Sequence, residues 1–394
     1  MKVNVTEKIF WIGANDRRKN LFENMWPLPQ GVAYNCYLIK DEKTALLDTV
    51  EMGSHSQFLS RVEEILDGRE LDYLIINHME LDHAGEIGDI VRRYPRVQIV
   101  GNAKTFKILE GYYGITENLV SVKDGDSLSL GHHNLQFVFT PWVHWPETMV
   151  TLDTTEGVLF SADAFGTFGT LDGAIFDDEM DVTKYDDEMR RYYSNIVGKY
   201  SNMVQKAFAK LPVGDVKVIC PLHGPIWRSN PSYVIDLYDK WSRYEAEEGV
   251  VLVYASMYGN TQIAADYMAR RLAENGVRNI VVHDVSKTHL SYLISDIWKY
   301  KGVILGSCAY NAQMFPLMEN LTRELEHMGV KDRKLGLFGS YSWNGGGVRN
   351  LLAFAENIKW EQVAPAADLF GTPTPEKLAA CDAIAEAMAQ AIKE

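Results

Sequence analysis

Six consecutive residues, His78-Met79-Glu80-Leu81-Asp82-His83, hold two imidazoles and two carboxylates directly after the apolar run Leu71-Asp72-Tyr73-Leu74-Ile75-Ile76-Asn77. If the chain stays extended through this point, residues 78 and 80 project to the same side, so His78 and Glu80 can meet one metal ion. Asp82 and His83 open the next segment, where 84–91 reads as a helix start, and they can turn toward a second ion. Three more groups of ligating type, His144, Asp163 and His223, each lie just beyond another strand-like run. Together these make four histidines and three carboxylates without a thiolate. That hard nitrogen and oxygen set suits iron or manganese better than a structural zinc, which favours closed thiolate or imidazole shells. Either His78 or His83 alone would read as an ordinary loop residue; the cluster does not.

Buried strands that deliver side chains to loops at their C-terminal ends are the elements such a site needs. Strand-like runs occur at 35–40, 44–49, 97–100, 135–140 and 157–160, broken by turns, with helical patterns at 55–67, 103–112 and 186–210. This pattern fits two packed sheets with helices outside. Asp48, ending one strand near the site, reads as a hydrogen-bonding support for the ligands rather than a ligand. His55, His132, His133, His283, His289 and His327 belong to no comparable ligand cluster in sequence, and His132-His133 between Gly131 and Asn134 reads as turn chemistry.

At its ligand motifs the chain resembles the metallo-β-lactamase superfamily, whose motif is His-x-His-x-Asp-His. Glu80 stands here in place of the second histidine, which is the pattern of the flavodiiron proteins. The resemblance extends to His144 in Pro141-Trp142-Val143-His144-Trp145-Pro146-Glu147, to Asp163 in Ser161-Ala162-Asp163-Ala164-Phe165-Gly166, and to His223 in Cys220-Pro221-Leu222-His223-Gly224-Pro225. It implies His78, Glu80 and His144 on one iron, Asp82, His83 and His223 on the other, and Asp163 bridging both. It also implies a site hydroxyl from Tyr192 or Tyr193.

Near residue 248 the pattern changes to a regular alternation of strand and helix. After the polar stretch 244–248, the continuous apolar run Val250-Val251-Leu252-Val253-Tyr254-Ala255 is that of a parallel strand buried on both faces. Helix-like 261–275, 289–300, 316–328, 347–357 and 374–393 alternate with strand-like 279–283, 302–306, 334–338 and 364–370, a doubly wound domain. The domain boundary is expected there, giving 1–248 and 249–394. The turn after the first strand, Ser256-Met257-Tyr258-Gly259-Asn260-Thr261, offers hydroxyls and outward backbone N–H groups at a helix start, a cradle for a phosphate. Here the chain resembles flavodoxins. Two later strand ends, Ser307-Cys308-Ala309-Tyr310-Asn311 and Ser340-Tyr341-Ser342-Trp343-Asn344-Gly345-Gly346, extend the match to a flavin ring. Cys308 and Ala309 replace the proline and threonine common in flavodoxins. The expected fold is an N-terminal αββα metallo-β-lactamase-like sandwich followed by a doubly wound flavodoxin-like domain.

The chain of 394 residues exceeds one core, and its net charge of −14 argues against nucleic acid as a partner. No segment approaches the roughly 20 apolar residues of a membrane span, and the first residues lack the apolar stretch of a secretory signal. Cys36, Cys220, Cys308 and Cys381 are widely spaced and form no CxxC pair. They read as reduced thiols of a cytoplasmic protein. The resemblance as a whole implies an oxidoreductase that reduces dioxygen to water or nitric oxide to nitrous oxide, with FMN feeding a non-haem di-iron site. It further implies an external electron donor, a rubredoxin-like protein or a reduced deazaflavin, and a head-to-tail homodimer or dimer of dimers. The rival is a zinc-dependent hydrolase of the same scaffold with an attached flavin domain, in which the metals would supply hydroxide. Glu80 and the flavin loops count against it. A flavin electron carrier without a reaction of its own would leave seven ligands without a role.

Overall fold

In a computed structural model describing residues 3–53 and 57–394, the chain forms two compact units, Met1–Arg243 and Tyr244–Glu394. His55 and the first part of the helical run expected at 55–67 lie outside the described residues; the helix is described over Phe58–Leu66.

The first unit is built on two sheets. One runs in the order Val3–Asn4, Ile9–Trp11, Tyr37–Lys40, Thr44–Leu47, Tyr73–Ile75, Gln98–Gly101 and Leu119–Ser121. The other runs Ser127–Ser129, Asn134–Phe139, Met149–Asp153, Val158–Phe160 and Val218–Cys220. The short strands at 3–4, 9–11, 119–121 and 127–129 and the inner strand Met149–Asp153 are additions to the sequence reading. Most of these are too short to show a period of two, and Met149–Asp153 is buried throughout and so does not alternate. The sheets meet through buried contacts: the Tyr37 and Phe160 rings lie 5.4 Å apart, and Thr151 Oγ1 donates to Asn77 Oδ1 at 2.7 Å. Helices including Phe58–Leu66, Ala103–Tyr113, Ser201–Lys210 and Pro231–Ser242 complete the αββα sandwich.

Two departures from helical expectation bear on the site. The expected start at 84–91 divides into a short helix Leu81–Ala84 and a second, Ile87–Arg93. The expected helix 186–210 is interrupted: Asp186–Tyr192 widens into a π-helical turn at Tyr193–Val197, then a tight turn at Gly198–Tyr200, before Ser201–Lys210 resumes. Such widened turns rotate the residues that follow relative to a regular helix and recur at functional sites.

The second unit is a parallel sheet in the order Ile280–Asp284, Glu247–Ala255, Tyr300–Tyr310, Lys334–Tyr341 and Ala367–Phe370. With the first strand second in line, this is the flavodoxin-like order, whose switch point lies between the first and third strands. Its apolar core joins Val250, Leu252, Ile304 and Phe338 to Met268, Leu272, Ile384 and Met388 of the flanking helices.

At the end of the first unit's second sheet, Asp41 holds a turn together. Its carboxylate accepts from Lys8 Nζ at 2.7 Å and from the His132 and His133 backbone N–H groups at 2.6 and 2.8 Å. Burial works against the charge, but the Lys8 ammonium and these amides bring its pKa down to about 2. A carboxylate depressed in the folded state stabilises above its unfolded value, and that stability is lost as pH falls toward the folded one. Asp41→Asn is therefore expected to lower stability by about 1–3 kcal/mol at pH 7. Thermal unfolding of wild type and variant at pH 7 and pH 3 checks this: the gap should narrow at the lower pH.

Candidate metal centre and flavin cleft

The strand Tyr73–Ile75 leads into the segment 76–80, which closes on an extended Glu80 with φ and ψ of −63° and 142°. His78 and Glu80 consequently emerge on the same side, while the short helix that follows turns Asp82 and His83 back toward them. Asp48, at the end of Thr44–Leu47, accepts from the backbone N–H groups of Asn77 and His78 at 2.8 and 3.1 Å and from Asn77 Nδ2 at 2.9 Å. This is the supporting role expected of it. His144, Asp163 and His223 arrive from the ends of Asn134–Phe139, Val158–Phe160 and Val218–Cys220. Trp142 and Ala162, just ahead of His144 and Asp163, adopt φ of 69° and 53°, and Asp48 itself has φ of 56°. Left-handed backbone at residues that are not glycine is held by the surrounding structure and clusters where ligands must be aimed.

The other six groups gather around Asp163. Its Oδ2 lies 2.9 Å from His144 Nε2 and 3.4 Å from His78 Nε2, and Glu80 Oε2 lies 3.0 and 3.3 Å from the same two nitrogens. Its Oδ1 lies 3.1 Å from His83 Nε2 and 3.7 Å from His223 Nε2. Asp82 Oδ2 is 3.2 and 3.3 Å from those two nitrogens, which are themselves 2.9 Å apart. Two nests of ligand atoms result, His78, Glu80, His144 and Asp163 in one, Asp82, His83 and His223 in the other. Asp163 offers one oxygen to each.

The second nitrogens of two of these rings are already committed. His78 Nδ1 meets Glu147 Oε1 at 2.9 Å, and His223 Nδ1 meets the Ala33 carbonyl at 2.8 Å. A ring that donates from Nδ1 presents a lone pair at Nε2, the atom facing the nest. Meanwhile both oxygens of Asp82 and Oδ1 of Asp163 are buried and find no hydrogen-bond partner among the described residues. Buried carboxylate oxygens without donors are costly unless a cation satisfies them. The residues present therefore fit two metal ions. Glu147 went unassigned in the sequence; its place in the Trp145-Pro146-Glu147 segment three residues after His144 was the available signal.

Of the two tyrosines, Tyr192 belongs to this region. Its ring centroid lies 5.4 Å from that of His223, and its buried hydroxyl finds no partner among the described residues. Burial, then the Asp163 carboxylate, push its pKa well above the ordinary value, so it remains a proton carrier. Gly166 makes the approach possible, since a Cβ there would lie 2.9 Å from Asp163 O and 3.1 Å from the Tyr192 ring. Tyr193 points elsewhere: its hydroxyl lies 2.8 Å from Ser201 Oγ and its ring packs 4.9 Å from Tyr238. Of the two alternatives, only Tyr192 faces the ligand groups, because consecutive helical residues point in different directions around the axis.

In the second unit, a cleft at the sheet's switch point is lined by Ser256, Met257, Tyr258, Asn260 and Thr261, by Cys308 and Ala309, and by Ser340, Tyr341, Ser342, Trp343 and Asn344. Gly259, with φ of 97°, turns the chain into the helix Asn260–Glu274 and donates its N–H to Ser256 Oγ at 3.1 Å. Thr261 Oγ1 and Ser340 Oγ, 2.8 Å apart, tie the first loop to the third. Trp343 is 75% and Tyr258 94% exposed beside this cleft, flat apolar surfaces available for stacking. The donors, the helix start and the rings fit a phosphate and an aromatic ring system together. Ala312 also lines the cleft and was not anticipated.

Six expected residues do not line the cleft. Gly259 shapes the first loop from behind. The Ser307 hydroxyl donates to Cys308 O at 2.9 Å and accepts from Phe315 N at 3.0 Å. Tyr310 packs edge-on against Phe315, and Asn311 occupies a left-handed turn with φ of 48° between Tyr300–Tyr310 and Gln313–Met314. Gly345 and Gly346 back onto Asp368 and Ala312. The small hairpin closed by Gln313–Met314 carries Tyr310 and Asn311 away from the cleft.

The other described histidines are locally satisfied in the second unit: His283 Nε2 meets Asp296 at 2.8 Å, His289 caps the helix Leu290–Lys299, and His327 lies 3.6 Å from Glu324. All four cysteines are free and buried.

Comparison with known proteins accords with both sites. Residues 32–224 match the ODP family of beta-lactamase-like domains, and residues 252–381 match flavodoxin. The anaerobic nitric oxide reductase flavorubredoxin of Escherichia coli is 33% identical over 368 residues, spanning 92% of this chain and 76% of the relative. The chain belongs to the flavodiiron protein family. Among solved structures, the rubredoxin oxygen:oxidoreductase of Desulfovibrio gigas superposes with a TM-score of 0.95 at 28% identity, covering 100% of this chain and 99% of that one. A variant of the flavo di-iron protein of Thermotoga maritima gives 0.90 at 26% identity, covering 100% and 99%. The first two of these are named as a reductase and an oxidoreductase, and the hydrolase reading of the scaffold is not favoured. Among the described residues no helix is long and apolar enough to cross a membrane.

Without metal, burial opposes charge on the site histidines, but the carboxylates around them prevail: Asp82 and Asp163 hold His83 up at about 10, and Asp163 and Glu80 hold His144 up at about 9. A metal must displace these protons, so metal affinity falls as pH falls, by roughly tenfold per displaced proton per pH unit. Iron dissociation constants measured between pH 9 and pH 6 should rise steeply toward the acid end. Glu147→Gln, which leaves His78 a weaker partner, should weaken iron binding by about 10- to 100-fold at fixed pH.

Proposed function

We propose that His78, Glu80 and His144 hold one iron and Asp82, His83 and His223 a second, with Asp163 bridging, and that FMN occupies the cleft of the flavodoxin-like unit. On this reading the chain is an oxidoreductase that reduces dioxygen to water, nitric oxide to nitrous oxide, or both. The observation that carries it is the division of the Asp163 carboxylate between two ligand nests in a chain that also builds a flavin cleft. When bound, the irons supply open coordination positions for a small gas and, with the flavin, store the electrons for its reduction.

The chain's own residues set the conditions. Asp163 would offer one carboxylate oxygen to each of the two positions. Glu80 puts a negative oxygen where the hydrolase motif has a neutral ring, which favours a harder, more oxidisable ion. Glu147 and the Ala33 carbonyl hold His78 and His223 in the ligating tautomer. The Tyr192 hydroxyl, protonated and without a partner, is available to donate a hydrogen bond beside His223. Dioxygen to two waters consumes four electrons and four protons; two nitric oxides to nitrous oxide and water consume two of each. Electrons would come from a rubredoxin-like protein or a reduced deazaflavin, a reading supported by the similarity to a rubredoxin oxygen:oxidoreductase.

Purified protein should carry two irons and one FMN per chain and, with a reduced donor and each gas supplied separately to otherwise oxygen-free buffer, consume dioxygen, nitric oxide or both, the ratio of the two rates naming the preferred substrate. Full zinc occupancy with undiminished turnover would sink the iron assignment. Glu80→His should shift metal content toward zinc and abolish gas reduction while leaving FMN bound, and unchanged turnover would remove Glu80 from the ligand set.

The head-to-tail dimer, in which one chain's flavin serves the other chain's irons, is supported by the family resemblance. His144→Ala, with damaged iron binding, and Thr261→Asp, with FMN repelled, should each be inactive alone. Co-expressed mixed dimers should regain a substantial fraction of wild-type activity. Isolated mixed dimers with verified iron and FMN contents that stay inactive would place electron transfer within one chain.

A further inference from the structure

The second sheet of the first unit ends in two turns that lie side by side. One, 130–133, joins Ser127–Ser129 to Asn134–Phe139; the other, 154–157, joins Met149–Asp153 to Val158–Phe160. Leu135 pairs with Asp153, so both turns sit at the same end of the sheet. The opposite end leads to His144 and Asp163. The six residues of Asn134–Phe139 span about 20 Å, so whatever these turns bind is separate from the metal pair.

His133 is fully buried, and its Nδ1 meets Asp153 Oδ2 at 2.8 Å. Asp153 is itself fully buried, accepts the Thr155 N–H at 3.1 Å, and so stands as the fixed acceptor of the Nδ1 proton. The His133 Nε2 lone pair is left with no partner among the described residues, and the buried Oε2 of Glu156 is likewise without one. His132, with 54% of its side chain exposed, brings its Nε2 within 3.9 Å of Glu156 Oε1. One ligand atom from each of His132, His133 and Glu156 lies within 4.8 Å of the others. The Asp41 carboxylate pins the backbone N–H groups of both histidines, so the turn is prearranged. Ligands bound at about 2.1 Å stand roughly 3–4 Å apart, and the exposed His132 can close that remaining distance.

We propose that His132, His133 and Glu156 form a surface site for a single first-row divalent cation of the zinc class, with solvent completing the coordination. Two imidazoles and one carboxylate are the ligands such ions take, and calcium and magnesium, which require oxygen, are disfavoured. Asp153 is the positioning residue, acting through His133 as carboxylates act through metal-bound histidines.

The test uses protein already loaded with iron and FMN, dialysed against zinc chloride and assayed for zinc, iron and flavin, with affinity measured calorimetrically. One zinc per chain should bind while iron and FMN contents stay unchanged. His132→Ala and Glu156→Gln, both at solvent-accessible positions, should each weaken that binding at least tenfold without altering iron or FMN, and Asp153→Asn should weaken it by about 10- to 100-fold. Zinc that enters only as iron leaves, or wild-type affinity in either the His132 or the Glu156 variant, would overturn the proposal.

Discussion

The Asp163 carboxylate is the constraint on which the first unit depends. It is fully buried, and its two oxygens face two separate groups of imidazole nitrogens. Burying a charge without compensation is costly, so every element that reaches this point must deliver a group that neutralises it or a metal that does. The buried coulombic attraction between Asp163 and its histidines holds the carboxyl well below the usual range and the His78 imidazolium well above it.

Maintaining that geometry requires rigidity at the strand ends. Asp48 ties down the backbone at Asn77 and His78, Glu147 fixes the His78 ring, and Gly166 leaves room for Tyr192 against Asp163. The left-handed residues Trp142 and Ala162 turn their strands sharply just where ligands must be presented. Packing of both sheets against buried strands such as Val158–Phe160 supports this strain, because a closely packed interior leaves few ways for a turn to relax. The second unit follows a looser logic: its cleft is built from turns at strand ends, with exposed aromatic residues beside a helix start.

The candidate ligands stood out in the sequence because they follow apolar runs, and a strand leading to a loop is a local pattern. The replacement of a histidine by Glu80 and the Ser256–Thr261 turn before a helix were equally local. So were the strands and helices of the second unit, whose fully buried parallel strands appear as continuous apolar runs. The small hairpins and edge strands of the first unit were not, since a strand of two or three residues carries no readable period.

By itself, then, the sequence determined which residue types stand at which strand ends and that a flavin-binding unit follows a metal-binding one. Tertiary structure alone decided the rest. Glu147 reaches His78 across 69 residues, and the His223 ring is fixed by a carbonyl 190 residues away. Such pairings depend on sheet register and on how turns are aimed, which spacing along the chain does not encode. Tyr192 lies beside His223 while its neighbour Tyr193 packs against Tyr238 and Ser201, and the hairpin at Gln313–Met314 draws Tyr310 and Asn311 from the cleft while bringing Ala312 into it. Likewise, Gly131-His132-His133-Asn134 reads as a turn along the chain, but only the pairing of Leu135 with Asp153 sets it beside Glu156. Local chemistry is written in order along the chain, while the sharing of one carboxylate between two nests exists only where strands distant in sequence end together.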